Sequence, residues 1–434
     1  MTNDDRFRLD RIPATEDDWR DAVDGVLKGR PFEKVLVNQT AGGLDIQPLY
    51  APASTEPILP VDPHRVAYGW DIRQRHEATS PSVCQAAVLD DLEHGVTSIE
   101  LGTPATAWGL DELRDALEGV LLDIAPVVLA PHTDLGSARA LVDLLDERGD
   151  ALTSRCWLGL DPIGAYARSH SVGAVDQVAE FAASIADTHP NVVACTIDTT
   201  RYVDAGADEV QEIAWMLATG VAMLRSLEAA GLPVERAAAT IGFRVAADAD
   251  QFLTIARLRA ARSLWGSVLA ACGVDTHPSR FHAVTSPAMF SRRDAAVNML
   301  RSTSAAFGAG VGGADSVTVL PFDGSDSTLA RRNARNIHHL LIEESGVNRL
   351  VDPAAGSGFV ESLTDRLCEA AWSTFQQVEA DGGMVVALES GAVETAIDAA
   401  WSARLERLAT RKEPVTGVSE FPDDAPGAVI PEPV

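Results

Sequence analysis

The feature that most limits the fold is an alternation that begins at Val66. Apolar runs too short for helices take turns with longer amphipathic stretches, and the pair recurs eight times. The predicted strands are Val66–Ile72, Ser98–Leu101, Val127–Ala130, Cys156–Leu160, Val192–Ile197, Ala239–Val245, Phe281–Thr285 and Ser316–Leu320. The predicted helices are Ser82–His94, Asp111–Asp123, Gly136–Arg148, Ala174–Thr188, Asp208–Glu228, Asp250–Cys272, Asp294–Phe307 and Thr328–Ser345. Continuous apolar runs suit strands buried on both faces. Eight strand–helix units in strict alternation close on themselves as a (β/α)8 TIM barrel of the α/β class. An open doubly wound sheet is the alternative, but no nucleotide fingerprint supports it. The glycine run Gly308–Gly313 follows a helix and precedes a strand, the reverse of a phosphate cradle, and reads as a connector.

The fifth unit carries the candidate site. Its apolar run, through Val192, Val193, Cys195 and Ile197, breaks into Asp198, Thr199, Thr200 and Arg201 before the next long helix. In a parallel barrel those polar side chains stand at the C-terminal mouth, where barrel enzymes place their chemistry.

The flanks are different. Residues 1–64 read as an arm that lies along another surface, of this chain or of a partner. It holds one amphipathic helix, Glu16–Leu27, opened by a capping box of Thr15 and Asp18. Phe32, a short apolar piece at Val35–Val37 and a turn at Gly42-Gly43 follow, and Pro48, Pro52, Pro57, Pro60 and Pro63 leave no room for a regular element beyond that turn. The barrel takes residues 65–345, and a helical extension with apolar stripes takes 346–412, with helices at Glu361–Ala380 and Val393–Arg411. Residues 413–434, with prolines at 414, 422, 426, 431 and 433, read as a linker or tail.

A formal charge of -28 argues against nucleic acid or an anionic membrane as partner. The five cysteines show no metal-ligand or redox spacing, which predicts reduced thiols, no metal site and a cytoplasmic protein. No apolar run approaches membrane length.

Several segments then point to one family. TIARLRAARSLW at 254–265 resembles the IAKLRAARRLW helix of the methylmalonyl-CoA mutases. LDIQPLY (44–50) resembles that family's N-terminal arm, and GWDIRQRH (69–76) its first barrel strand. RRNARNIHHLLIEESGVNRLVDPAAGSGFVESLTDRL (331–367) resembles the last barrel helix and connector, and DGGMVVALESG (381–391) the terminal helices. The resemblance runs in order from about residue 32 to 420. It implies an adenosylcobalamin-dependent radical isomerase that interconverts methylmalonyl-CoA and succinyl-CoA, with a barrel around the acyl-CoA and a separate flavodoxin-like domain for the corrin.

The departures are specific. Active mutases carry SGYHMQEAGA after the fifth strand, whereas this chain reads DTTRYVDAGA from Asp198 to Ala207. The tyrosine that shields the radical and the histidine that hydrogen-bonds the thioester carbonyl fall on Thr200 and Arg201. Threonine cannot wall off a radical as a ring does, and arginine, always charged, cannot exchange a proton near neutral pH. In the seventh strand RTHCQTSG becomes RFHAVTSP, which keeps Arg280 and His282 as candidate substrate-binding residues and places Val284 where glutamine stood. The cobalt-ligating D-x-H-x-x-G is matched only as far as Asp62-Pro-His64 and Asp275-Thr-His277, both without the glycine and both misplaced in the chain.

The resemblance therefore implies the small, non-catalytic subunit of a heterodimeric methylmalonyl-CoA mutase of propionate metabolism. No cofactor-binding residue is expected here; adenosylcobalamin enters with the large catalytic subunit, and the CoA esters are ligands of the complex. A degenerate flavodoxin-like domain would normally follow the linker, and the present sequence stops short of it. Two other readings stay open. One is an acyl-CoA mutase of altered substrate that uses Arg201, Arg280 and His282 and borrows a corrin domain. The other is a CoA-ester-binding or chaperone-type protein. Arg257, Arg259 and Arg262 are expected in helix-face salt bridges, and Arg201 in a pair with Asp204 or Asp198. A barrel freed from catalysis is expected to be packed along its axis, with Val284 part of the filling.

Overall fold

The computed structural model describes residues 15–53, 59, 63–77, 80–102, 108–131, 133–170, 172–274, 279–325 and 327–422. Eight parallel strands form a closed barrel in chain order, with the last returning to the first. They are β1 (Asp71–His76), β2 (Ser98–Leu101), β3 (Val127–Leu129), β4 (Trp157–Leu160), β5 (Val193–Asp198), β6 (Ile241–Ala247), β7 (Arg280–Thr285) and β8 (Ser316–Thr318). Outside them run α1 (Pro81–Glu93), α2 (Leu110–Ala116), α3 (Leu135–Arg148), α4 (Val175–Ile185), α5 (Glu209–Ala229), α6 (Gln251–Ala271), α7 (Ala295–Val311) and α8 (Thr328–His339). The extension adds α9 (Gly358–Ala380), α10 (Met384–Glu389) and α11 (Ala392–Ala409).

Local chemistry sets most helix starts. Asp134, Asp208, Asp250, Asp294, Ser327 and Ser357 each accept from a backbone amide of the first turn, satisfying donors that the helix leaves open. The Thr15–Asp18 capping box forms as expected on the Glu16–Leu27 helix.

The first strand does not fall where its apolar letters suggest. Val66 belongs to a short helix, Pro63–Tyr68, and the strand follows as DIRQRH. Proline is well suited to a first helical turn, where its missing amide costs nothing. The helix reaches only Ala116 in the second unit, short of Asp123. The glycine run is not a simple connector either, because α7 continues through Gly308 and Gly310 to Val311. A Cβ on Gly310 would lie 2.3 Å from the Trp70 ring, and one on Gly308 would lie 3.0 Å from the Gln251 carbonyl. These glycines let α7 approach its neighbours closely.

The arginines of α6 lie buried rather than on a solvated face, and each meets acids. Arg257 pairs with Glu212 and Asp248, both at 3.1 Å; Arg262 donates to Asp315 at 2.9 Å. Arg259, fully buried, holds Asp352 and Glu361 (2.7 Å), which fastens the extension to the barrel.

Part of the arm folds back on its own chain. Gly42 donates to Glu209, Arg366 donates to the Asp45 carbonyl, and Tyr50 stacks on Phe359 at 5.2 Å. The helix 16–27 instead meets Phe32 of the following turn through Trp19 and buries only Leu27. Residues 413–422 of the expected linker are also tied down, with Glu413 held by Arg404 and Arg407 and the Thr416 carbonyl by Arg301.

The seam between first and last units is closed by side chains. Asp91 of α1 accepts from Arg331 and Arg335 of α8, with His76 3.2 Å away. Burial would raise its carboxyl, but these three partners hold it down at about 2. Alongside, Trp70 Nε1 donates to His338 Nδ1 at 2.9 Å. His338 is fully enclosed, and burial followed by the nearby His339 lowers it to about 3. The unfolded chain therefore binds a proton that the folded chain refuses between about pH 6.5 and 3, so stability falls as pH drops through that window. His338→Asn keeps an acceptor for Trp70 and removes this group. Between pH 7 and 5 its unfolding free energy should fall by about 2 kcal/mol less than that of the wild type, measured by urea denaturation.

Candidate functional site at the barrel mouth

Contacts between strands that are not neighbours must cross the barrel axis, and here they are polar. Arg244 of β6 reaches Glu100 of β2 at 3.4 Å and Asp198 of the adjacent β5 at 3.1 Å. Arg73 of β1 stacks on Trp157 of β4 at 5.4 Å, and Trp157 meets His282 of β7 edge-on at 6.3 Å. Below the mouth the axis is crossed by a lower layer of arginine, indole and imidazole and an upper layer of ion pairs rather than by bulky aliphatic side chains, and Val284, expected in the filling, lines the open mouth cavity instead. Gly242 makes the lower layer possible, since a Cβ there would sit 2.7 Å from the Trp157 ring.

Above the ion pairs a cavity of about 1170 Å³ opens at the C-terminal mouth. Arg75, Asp198, Thr200 and Arg244 line its inner part, and Tyr166, Val284, Phe290 and Leu320 supply apolar wall. Leu388, Val393 and Ile397 of α10 and α11 close one side.

The polar residues of the fifth unit separate into two roles. Thr200 is buried; its hydroxyl bonds Asp198 at 2.6 Å and Arg244 at 3.0 Å. It is a fixed member of the ion network. Arg201, one residue on in the short helix Thr200–Ala205, is exposed at the cavity lip. It pairs with neither Asp198 nor Asp204, contrary to expectation, because Asp198 is taken by Arg244 and Asp204 accepts from Ser286 at 2.5 Å. The next residue, Tyr202, packs edge-on against Trp215 of α5.

The two seventh-strand candidates part company. His282 lies wholly inside, with Nε2 2.8 Å from the Thr318 hydroxyl and 3.9 Å from Glu100. Burial, then Arg73, Arg244 and Arg75, push its proton affinity well below the ordinary histidine range, so it is a neutral ring beneath the ion layer. Arg280 begins β7 at the opposite, N-terminal end and donates to the Asn191 carbonyl. It does not line the mouth cavity. Of the two D-x-H triplets, residues 275–277 and Asp62 lie outside the described residues, and His64 falls in the helix beneath the barrel.

Glu100, Arg244, Arg73 and Trp157 were not singled out by sequence reasoning. Their one signal is a lone charge inside an otherwise apolar strand, as in SIEL and IGFRVAA. Burial disfavours the Arg244 charge, yet Asp198 and Glu100 more than compensate, and its proton is held more tightly than usual.

Such a barrel, with a large opening at the strand C-termini and an appended helical wall, defines a (β/α)8 protein whose candidate site is the mouth. A family model for methylmalonyl-CoA mutase matches residues 164–431. A methylmalonyl-CoA mutase small subunit of Streptomyces virginiae is 44% identical across 94% of this chain and 70% of its own length. The small subunit of Propionibacterium freudenreichii subsp. shermanii is 38% identical across 94% of this chain and 69% of its length. An Escherichia coli methylmalonyl-CoA mutase is 33% identical over 251 residues, 56% of this chain and 35% of its length. The chain belongs to the methylmalonyl-CoA mutase family. Among the described residues no helix is long and apolar enough to cross a membrane.

The network makes opposite demands on its two arginines. Arg244→Met leaves Glu100 and Asp198 without their shared cation in a buried layer, and should cost about 3–5 kcal/mol of unfolding free energy. Arg201→Ala, at the exposed lip, should change it by less than about 0.5 kcal/mol. Urea titrations of the two variants beside the wild type check both values.

Proposed function

We propose that this chain is the small subunit of a heterodimeric, adenosylcobalamin-dependent methylmalonyl-CoA mutase of cytoplasmic propionate metabolism. In this reading it stabilises the large catalytic subunit and performs no isomerisation. The observation that carries the reading is the state of Thr200. Where the active relatives' motif has a tyrosine, this chain has a hydroxyl bonded to Asp198 and Arg244, the latter sealing the axis with Glu100. At the histidine position Arg201 offers a permanent cation at the lip. Neither fits the shielding of a radical or proton exchange with a thioester. The corrin and its homolytic chemistry then belong to the large subunit.

The purified chain, given adenosylcobalamin and methylmalonyl-CoA, should show no turnover, and co-expression with the large subunit should give a stable, active complex. Turnover by the single chain would overturn the proposal. The helix at Glu16–Leu27 is the part of the arm we assign to the partner, because it keeps most of its apolar face off its own barrel. Removing residues 1–36 should weaken the complex in sedimentation velocity.

The mouth cavity supports a second reading, in which the chain holds part of a CoA ester without acting on it. Calorimetry separates the two. If the axis is closed for good, Thr200→Tyr with Arg201→His binds no CoA ester; measurable heat from the double variant would favour the second reading.

A further inference from the structure

The lower layer of the barrel holds a cation with no carboxylate in direct contact. Arg73 is 2% exposed and makes no ion pair among the described residues. Its Nε donates to the Ser98 hydroxyl at 2.9 Å, and its NH1 has no partner. Its neighbours include further cations, Arg244 and Arg155. Burial draws its proton affinity down to about 10, so the carboxylates of Asp71 and Glu100 do not restore what burial removes. A buried charge without a partner in contact is strongly destabilising, and orphaned donors add to that.

Two more orphans belong to the same layer. His282 Nδ1 and the Thr196 hydroxyl are buried without partners. Arg73 and His282 abut the same indole ring, Trp157, and Thr196 stands in register with Gly242, which that ring overhangs. When His282 Nε2 accepts from Thr318, Nδ1 carries the ring proton. The layer then presents an N–H of a guanidinium, an N–H of an imidazole and an O–H around one indole. The unpartnered acceptor nearby, Glu100 Oε2, lies 3.9 Å from the other ring nitrogen, Nε2, in the ion layer; an anion at the Nδ1 side uses all three donors.

We propose that the barrel interior binds a small inorganic anion of the chloride type, held by Arg73, His282 and Thr196 beside Trp157. The anion serves as counter-ion to Arg73 and completes the closure of the axis. It stabilises the folded chain by mass action, since the unfolded chain has no such site.

The test uses the full chain and sodium bromide. Crystals soaked in bromide should show an anomalous peak within hydrogen-bonding reach of Arg73 NH1. In solution, the apparent unfolding equilibrium constant should fall about 100-fold in chloride at 100 times its dissociation constant, relative to sodium gluconate of equal ionic strength. Arg73→Met should lose the chloride dependence. Absence of the bromide peak, with water in its place, overturns the proposal. So does a wild-type stability that is the same in chloride and gluconate, or a chloride response that survives in Arg73→Met. Should that variant fail to fold, the soak and the wild-type salt comparison decide the matter.

Discussion

The architecture depends on one buried arginine that must be neutralised from two sides. Arg244 stands on β6, yet it holds Asp198 on β5 and Glu100 on β2. A charge in this position is tolerable only while both acids remain, and each acid only while Arg244 remains. The pairing fixes the height of three strands relative to one another. It also recruits Thr200, and through it the start of the short helix that carries Arg201 to the lip. The shape of the mouth is thus a consequence of charge balance one layer below it.

The same logic fastens the outer shell. A helix packed between barrel and extension normally presents aliphatic side chains to both, but α6 contributes Arg257, Arg259 and Arg262. Each is buried and each meets acids or carbonyls on a different element. Hydrocarbon contacts would leave α9 free to slide; charge-assisted bonds of fixed geometry hold its N-terminal turn at one place. This matters for the mouth, because α10 and α11 follow α9 and form one wall of the cavity.

Much of this was legible because period and hydropathy agree. The long helices α5 and α6 came within a residue or two of their limits, since they are capped by aspartates and run without a break. β1 was displaced because its axis-facing side chains, Arg73 and Arg75, are charged, and a strand that solvates nothing is expected to be apolar. Arg280 and His282 show a different limit. Two residues apart on one strand, they share a face but differ in depth by about 7 Å. A sequence gives the face; it does not say which end of the barrel a side chain reaches. Thr200 and Arg201 were marked by the polar break after the fifth apolar run and again by the resemblance, but their separation into a locked hydroxyl and an exposed cation needed the geometry.

The seam at Asp91 bears on how such a chain comes to be folded. The carboxylate on α1 and the two arginines on α8 are separated by 240 and 244 positions. Until β8 is made, β1 has no eighth neighbour, and until α8 follows it Trp70 lacks His338 and Asp91 lacks its two arginines. During synthesis the growing sheet carries an exposed edge, a template for pairing with other chains. Before β8 is made the sheet is open, and the charge at its border is answered only when α8 follows, so closure is an event of late arrival rather than of gradual growth.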